Sequence, residues 1–193
     1  MNPPPPTSLA ALAWVSLGSN LGDSVLVVRQ ALDRLQALSD QPLLRSSLWR
    51  TQPVDCPPGS PWFVNAVAGL APRPDETPES LLAQLQALER AFGRQPTRAR
   101  NEPRPLDLDL IAFGNQVRSS ACLTLPHPRA HLRRFVLDPL GELAPDLVFP
   151  GQSQSVRQLL AALGGAQSTA PLAAASELNP TPQAPGPNCL APP

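Results

Sequence analysis

The chain alternates short apolar runs with segments of helical spacing. Four of the runs have the length and composition of strands, and they lie at 12–17, 43–49, 62–70 and 106–113. In the third run Val64 and Ala66 alternate with Phe63 and Asn65, so the two sets of side chains face opposite sides of the chain. This alternation is typical of a strand.

Two segments between these runs predict helices. The first begins at a cap formed by Asp23 or Ser24. Its apolar residues recur at helical spacing: Val25, Val28, Leu32 and Leu35. The second begins at Thr77, has Pro78 at the first helical position and ends at Gly93. Its apolar face consists of Leu81, Leu82, Leu85 and Leu88.

The order of the elements predicts the fold class. Strand, helix, strand, strand, helix, strand is the order of the α+β ferredoxin-like sandwich with an antiparallel sheet. A proline-rich segment follows, with predicted short helices at 133–140 and 156–163. We expect one domain over 10–165, with a disordered Pro-rich arm at 1–9 and a disordered Pro- and Ala-rich tail at 166–193.

The charged residues exclude several classes of function. Fifteen acidic and fifteen basic residues leave no net charge, so no global field favours nucleic acid or an anionic membrane. All fifteen basic residues are Arg, which excludes a lysine Schiff base and the lysine of a phosphate-binding P-loop. Any cationic site in this chain therefore keeps its charge at every working pH.

Cysteine usage and the N-terminal segment predict a soluble cytoplasmic protein. Cys56, Cys122 and Cys189 are odd in number and widely spaced, which argues against a disulfide framework or a zinc site. The N-terminal segment has no basic stretch before an apolar run, and the run at 9–17 is too short to span a bilayer.

Two acids stand inside the fourth apolar run. Asp107 and Asp109 alternate with Leu106, Leu108 and Leu110, so both carboxylates face one side, roughly 7 Å apart along the backbone. Like charges on one face of a strand repel, and a cation between them removes this cost. Hard oxygen ligands at this spacing suit Mg²⁺, as one ion or two. A strand with one solvated face is the alternative.

Arginines cluster around the acid pair in sequence. Five fall between 90 and 104 and three more follow later: Arg90, Arg94, Arg98, Arg100, Arg104, Arg129, Arg133 and Arg134. Arginines and metal ions together can share the charge of a triphosphate, which predicts a phosphoryl-type transfer. A solvated helix end followed by a basic loop remains the alternative interpretation.

The acid run also carries a resemblance. Pro103–Ile111 resembles the signature of the 6-hydroxymethyl-7,8-dihydropterin pyrophosphokinase family. Further segments agree with that family in order and spacing: Leu17–Gly22, Trp49–Thr51 with Pro53, Phe63–Ala66, Leu88–Glu89 with Gly93–Arg94, Leu125–Pro128, and Arg133–Leu137 with Pro139–Leu140. The resemblance extends over about residues 12–150.

The resemblance implies a ferredoxin-like core that transfers pyrophosphate from ATP to the pterin hydroxymethyl group and releases AMP. We expect the protein to be a monomer. Small-molecule substrates, and neither nucleic acid nor membrane, are then the expected partners. By the resemblance, Asp107 and Asp109 hold two Mg²⁺ ions, and Arg94 and Arg104 act on the transferring phosphates as catalytic residues.

The same resemblance assigns two binding regions. Phe63 and Phe135 sandwich the pterin ring, Asn65 contacts its edge, and backbone groups near Thr51 and Val54 complete the recognition. The residues that match the ATP side are Gln86, Glu89, Arg94, Arg104, Leu110, Thr124, His127 and Arg133.

Several positions depart from the family pattern. Pro96 stands where a second loop arginine is common, Asn101–Glu102 replace Trp-Gly, and Cys122 replaces a nucleotide-contacting arginine. Pro128 and Gln52 also differ from frequent family residues. A slow enzyme or an altered substrate preference is therefore left open.

Two further functions remain as alternatives. A catalytically weakened relative would bind pterin or nucleotide as a regulatory module. A ferredoxin-like interaction domain would have Phe63 packed in its core rather than lining a cleft.

Overall fold

The computed structural model describes residues 8–95, 103–164 and 169–172. Its strands are β1 (Ala13–Ser19), β2 (Leu44–Arg45), β3 (Trp49–Thr51), β4 (Phe63–Leu70), β5 (Asp107–Phe113), β6 (Arg118–Ser119), β7 (Thr124–Leu125) and β8 (Thr169–Pro171). The main sheet has the order β5-β1-β4-β3-β8, with β2 also pairing with β4, and its pairs are antiparallel. β6 and β7 form a separate hairpin.

The helices are α1 (Ser24–Leu35), α2 (Pro78–Ala91), α3 (Arg134–Leu143) and α4 (Val156–Leu163). Asp23 caps α1 by accepting the Leu26 N–H, and Thr77 caps α2 by accepting the Ser80 N–H. Short 3₁₀ turns lie at Leu9–Ala11, Gln36–Leu38 and Ala130–Leu132. The sequence patterns thus located the four α-helices that the described residues contain.

The antiparallel α+β sheet with its helices confirms the predicted fold class. The second predicted strand differs in detail, because it is divided into β2 and β3. The Ser46 side chain explains the break: its Oγ accepts the Val67 N–H at 2.9 Å, where continuous pairing would use a backbone carbonyl. The Ser47 N–H then turns away from the sheet and donates to Glu142 on α3.

The two faces of the sheet pack against different helices. Side chains such as Val15, Ala66 and Leu108 pack against α1 and α2 in one apolar core. Trp14, Val67 and similar residues on the opposite face pack against α3 and α4 in a second core. The alternation of side chains along each strand therefore creates two buried layers.

The second face is covered at one end only. α3 and α4 pack over the end of the sheet that carries Trp14 and Val67. Beyond them the same face continues with Gly18, Asn65 and Asp107, which are register neighbours across β1, β4 and β5. None of the helices in the described ranges covers the polar residues at this end of the face, and these residues form the floor of a cleft.

Regular elements extend slightly beyond both predicted ends of the domain, which were residues 10 and 165. Leu9–Ala11, partly inside the predicted arm, forms a 3₁₀ turn. Thr169–Pro171, inside the predicted tail, forms β8 against β3. The composition of this segment gave no strand signal, because its pairing comes from distant residues. The predictions of disorder at 1–7 and 173–193 concern residues outside the described ranges.

Within the described part of the chain, no helix combines the length and the apolar character that a membrane crossing requires.

We expect Thr77→Ala to lower the free energy of unfolding by about 1 kcal/mol, because it removes one side of the capping box of α2. Urea denaturation followed by circular dichroism measures the change. Ser153→Ala, at an exposed position outside the helices, serves as the control and should stay within about 0.5 kcal/mol of the original. Equal stabilities of the two variants would contradict the role of the cap.

Candidate active site

A cleft of about 630 Å³ opens at the uncovered end of the sheet. Its walls are the loop after β3, the residues that precede β5, and the segment from His127 to Phe135. The lining residues are Ser16, Gly18, Thr51, Gln52, Val54, Asp55, Cys56, Phe63, Asn65, Arg94, Arg104, Asp107, Asp109, His127, Arg129, Arg133 and Phe135. Charged and aromatic side chains therefore meet in one space.

Asp107 lies between two arginines. Its Oδ1 accepts from Arg94 at 2.7 Å, and its Oδ2 accepts from Arg104 at 2.6 Å. The loop after β1 holds the second arginine in place, because the Arg104 N–H donates to the buried Asn20 side chain at 2.9 Å. Two guanidinium groups thus neutralise this carboxylate from opposite sides.

Glu89 supports this arrangement from behind. It is buried on α2, accepts the Leu108 N–H at 2.8 Å, and pairs with Arg94. Burial raises the pKa of the Glu89 carboxyl, while the Leu108 N–H and Arg94 act in the opposite direction. Arg94 therefore bridges a carboxylate on α2 and a carboxylate on β5.

Asp109 is the less compensated acid. Among the described residues, its ion-pair partner is Arg133, with the Arg133 Nη1 3.8 Å from the Asp109 Oδ2. Burial, followed by repulsion from Asp107, raises the pKa of Asp109 to about 6, although nearby arginines partly offset the rise. The two acids on one strand face thus have different electrostatic surroundings.

His127 lies on the opposite wall as a neutral imidazole. Its backbone N–H donates to the Ile111 carbonyl at 2.8 Å, and its Nδ1 accepts the Arg129 N–H at 3.2 Å. Burial and then the charges of Arg133 and Arg129 lower the pKa of His127 to about 4. Because Nδ1 accepts a hydrogen bond, Nε2 carries the proton and can donate to a ligand.

Two phenyl rings line the cleft. The Arg104 guanidinium lies 6.0 Å from the centre of the Phe63 ring, and the Arg133 guanidinium lies 5.3 Å from that of Phe135. Both distances are within the range of cation–π attraction. Aromatic faces in a polar cleft suit a flat ring system as ligand.

Asn65 is a buried amide between the cleft floor and β3. Its Nδ2 donates to Thr51 Oγ1 at 2.6 Å. A Cβ on Gly18 would lie 2.8 Å from its Oδ1, so only glycine at this position accommodates the observed amide. The orientation of the Asn65 amide therefore depends on its hydrogen bond to Thr51 and on the absence of a side chain at Gly18.

The structure brings most of the predicted site residues together. Those that line the cleft are Thr51, Val54, Phe63, Asn65, Arg94, Arg104, Asp107, Asp109, His127, Arg133 and Phe135. Glu89 lies behind Arg94. Gln86 is exposed on α2, Thr124 is exposed on β7, and Leu110 packs in the core beneath the sheet. The assignment of these last three rests on the resemblance alone.

The cleft also contains residues that the sequence analysis did not assign to a site: Ser16, Gly18, Gln52, Asp55, Cys56 and Arg129. The pairing register of β1 and β5 would have indicated Ser16 and Gly18. In this register Ser16 is opposite Asp109 and Gly18 is opposite Asp107. Asp55 pairs with Arg129 at 3.9 Å across the mouth of the cleft.

The departures from the family pattern fall in three groups, of which the first is Gln52 alone, a residue that lines the cleft. Pro96, Asn101 and Glu102, with the neighbouring arginines 98 and 100, lie outside the described residues. Cys122 and Pro128 are exposed, and neither lines the cleft.

Asp107 and Asp109 are the candidate ligands for a divalent cation. Among the residues that the structure describes, no group of three or more His, Cys, Asp or Glu side chains could hold a metal ion. Mg²⁺ is commonly bound by one or two carboxylates together with substrate phosphates and water, so a pair of acids fits it. The arginines on Asp107 show that this position attracts positive charge.

The family profile of 7,8-dihydro-6-hydroxymethylpterin-pyrophosphokinase matches residues 14–145, which is more than half of the chain. The chain belongs to this family. The match includes every residue that lines the cleft.

Curated pyrophosphokinases agree with the family match. The 2-amino-4-hydroxy-6-hydroxymethyldihydropteridine pyrophosphokinase of Haemophilus influenzae is 39% identical over 149 residues, covering 77% of this chain and 90% of that protein. The protein of the same name from Pseudomonas aeruginosa is 40% identical over 150 residues, with coverages of 77% and 90%.

A solved structure shows the same fold. It is described as HPPK-DHPS in complex with substrates, and it has a TM-score of 0.62 at 11% identity. The similarity covers 78% of this chain and 43% of that longer chain.

The neutral state of His127 can be tested by NMR. The chain has two histidines, so His131→Gln leaves one imidazole to titrate. We expect its midpoint near pH 4, as the lowered pKa requires, and a higher midpoint when Arg129→Gln removes one of the neighbouring charges. Between this pH and the ordinary histidine pKa the unfolded chain binds more protons, so this group makes the free energy of unfolding rise with pH. A midpoint at the ordinary value would contradict the electrostatics described here.

Proposed function

We propose that the cleft transfers pyrophosphate from ATP to the hydroxymethyl oxygen of 6-hydroxymethyl-7,8-dihydropterin. ATP-dependent pyrophosphoryl transfer to this pterin in folate biosynthesis is the activity of the family, and the similar curated proteins carry its name. The observation that carries the proposal is the meeting of an acid pair, four arginines and two phenyl rings in one cleft.

In the proposed reaction the pterin hydroxymethyl oxygen attacks the β-phosphorus of ATP. A new oxygen–phosphorus bond forms there, the bond to the α-phosphate oxygen breaks, and AMP leaves. Most of the catalysis in such a transfer comes from positioning and from compensation of negative charge.

Asp107 and Asp109 are the proposed ligands for two Mg²⁺ ions. When bound, the ions would offset the charge of the ATP phosphates. Asp109, whose arginine partner lies at 3.8 Å, is the less tightly paired of the two carboxylates. Both acids point out of the sheet toward the cleft, as binding from that side requires.

Arg94 and Arg104 are the proposed phosphate ligands. In the structure they neutralise Asp107, and guanidinium groups can change partner from a carboxylate to a phosphate with the same bidentate geometry. Glu89 keeps Arg94 near β5 during such an exchange, because it is buried and cannot follow the arginine outward. Arg133 and the Nε2–H of His127 contribute further donors from the opposite wall.

Phe63 and Phe135 are the proposed pterin sandwich. The ring would replace the arginine contacts on their faces, and Asn65 would offer both a donor and an acceptor to the pterin edge. Backbone groups near Thr51 and Val54 lie on the same side of the cleft.

The two alternative functions are disfavoured by different observations. An interaction domain requires Phe63 in the core, but this residue lines the cleft. A weakened binding relative is not favoured by the family comparison. A titration would still reveal it as binding of ATP and pterin without release of AMP.

We further propose that the protein is a cytoplasmic monomer. The unpaired Cys56 and Cys122 support the cytoplasmic part of this proposal. Light scattering should then give a mass near 20.5 kDa.

Asp107→Asn and Asp109→Asn should each lower the rate of AMP formation by roughly 10³-fold or more, because each removes a charge that faces the transferring phosphates. Coupled detection of AMP measures the rate, and circular dichroism checks the fold. Asp146→Asn is the matched control, since Asp146 pairs with Arg157 at an exposed position away from the cleft. Near-normal turnover of either cleft variant would refute the metal assignment.

Gly18→Ala should raise the KM for the pterin by about tenfold, the equivalent of one good hydrogen bond. The added Cβ would lie 2.8 Å from Asn65 Oδ1, so the amide must turn and break its bond to Thr51. The KM for ATP, measured in the same assay, is the internal control and should stay within about twofold. A change of both constants in parallel would argue against a local effect on Asn65.

A further inference from the structure

The strand β8 lies outside the family match, which ends at residue 145. It pairs with β3 in antiparallel register, with Thr51 opposite Thr169 and Trp49 opposite Pro171. The Leu172 N–H continues the pairing by donating to the Leu48 carbonyl at 2.7 Å. Without β8, one side of β3 would be an open sheet edge with unpaired backbone groups.

A buried acid ties β8 to α3. The Thr169 hydroxyl donates to Asp138 Oδ2 at 2.5 Å. The same carboxylate accepts from Arg134 Nη2 at 2.9 Å and from Arg134 Nε at 3.1 Å. Because Asp138 is buried, each of these bonds is shielded from competing water.

The contacts of β8 end directly at the cleft. Thr51 is the register partner of both Thr169 and Phe63, and its hydroxyl accepts from Asn65. On the other side, Arg134 lies between Arg133 and Phe135, which both line the cleft. One short segment therefore contacts the supports of both aromatic walls.

We propose that residues 169–172 act as a strap that positions Thr51 and the first turn of α3, and thereby sets the affinity of the cleft for the pterin ring. Thr169 and Asp138 are positioning residues, because they act through Thr51 and Arg134 and do not line the cleft. The inference rests on the proposed function and adds to it a determinant of pterin affinity that lies outside the family match.

The strap should affect the two substrates unequally. Most of the proposed ligands for metal and phosphate lie on or near β5, namely Asp107, Asp109, Arg94 and Arg104, whereas Arg133 directly precedes the turn of α3 that the strap supports. In the sheet order, β5 and β8 are at opposite ends, separated by β1, β4 and β3. Loss of the strap should therefore weaken pterin binding more than ATP binding, to which Arg133 contributes one of several donors.

Thr169→Val removes the hydroxyl and keeps the shape and the strand propensity of the side chain. We expect the dissociation constant for 6-hydroxymethyl-7,8-dihydropterin, measured with a non-hydrolysable ATP analogue present, to rise about fivefold to tenfold. The constant for the analogue itself should change by less than about twofold. Thr169→Ser keeps the hydroxyl, so this variant should retain the pterin affinity of the original chain. Ala170→Ser, at an exposed position of the same strand, is the control and should also bind pterin as the original chain does.

Hydrogen exchange of the full chain provides a second measurement. Faster exchange of the amides at 48–51 in Thr169→Val, without a comparable change at 107–113, is expected if the strap holds β3. Unchanged pterin affinity would overturn the inference. The inference would also be overturned if Thr169→Val lowered the melting temperature and weakened the binding of both ligands equally. A contact that only stabilises the fold would have this effect.

The failure of this inference is distinguishable from the failure of the proposed function. Release of AMP by the unaltered chain tests the function. If the chain is active but Thr169→Val binds pterin normally, the strap is refuted and the function stands.

Discussion

The site depends on the neutralisation of a carboxylate at the end of a core strand. Asp107 alternates with residues that pack beneath the sheet, so it cannot move away from the sheet without breaking pairing with β1. Its charge is compensated from the cleft side by Arg94 and Arg104. The apolar packing of one sheet face thus fixes the position of Asp107, and the carboxylate of Asp107 in turn binds Arg94 and Arg104.

The same division of faces explains why the cleft exists. α1 and α2 cover one layer, whereas α3 and α4 cover only the end of the other layer near Trp14 and Val67. Polar residues at the remaining end would be costly under a helix, but in an open cleft they are available to a charged ligand. The alternation of side chains along the strands therefore accounts both for the two buried layers and for the polar floor of the cleft.

Much of this could be predicted from local pattern. The alternation around Phe63 and Asn65 gave the correct face, and the caps Asp23 and Thr77 gave the helix starts. The break at Ser46 could not be predicted, because it depends on a side-chain bond to a distant strand.

The contacts within the site could likewise be predicted only in part from the local sequence pattern. Leu110 matches a residue that lines the nucleotide pocket in the family, and its side chain packs in the core, as the alternation beside Asp109 indicated. The partners of Arg94 could not be read from the sequence, since Glu89 and Asp107 come together only through the packing of α2 on β5. β8 lies in a Pro- and Ala-rich segment, so only tertiary structure reveals its pairing with β3.

The use of arginine for every basic residue has a practical consequence for handling the protein. Reagents that acylate lysine amines find no lysine in this sequence, so they cannot react with the cations of the cleft. Enzymatic acetylation of lysine is excluded as a control of these charges for the same reason. Chemical probes of the cationic side chains in the cleft must instead be directed at guanidinium groups, and Cys56 offers a separate thiol target.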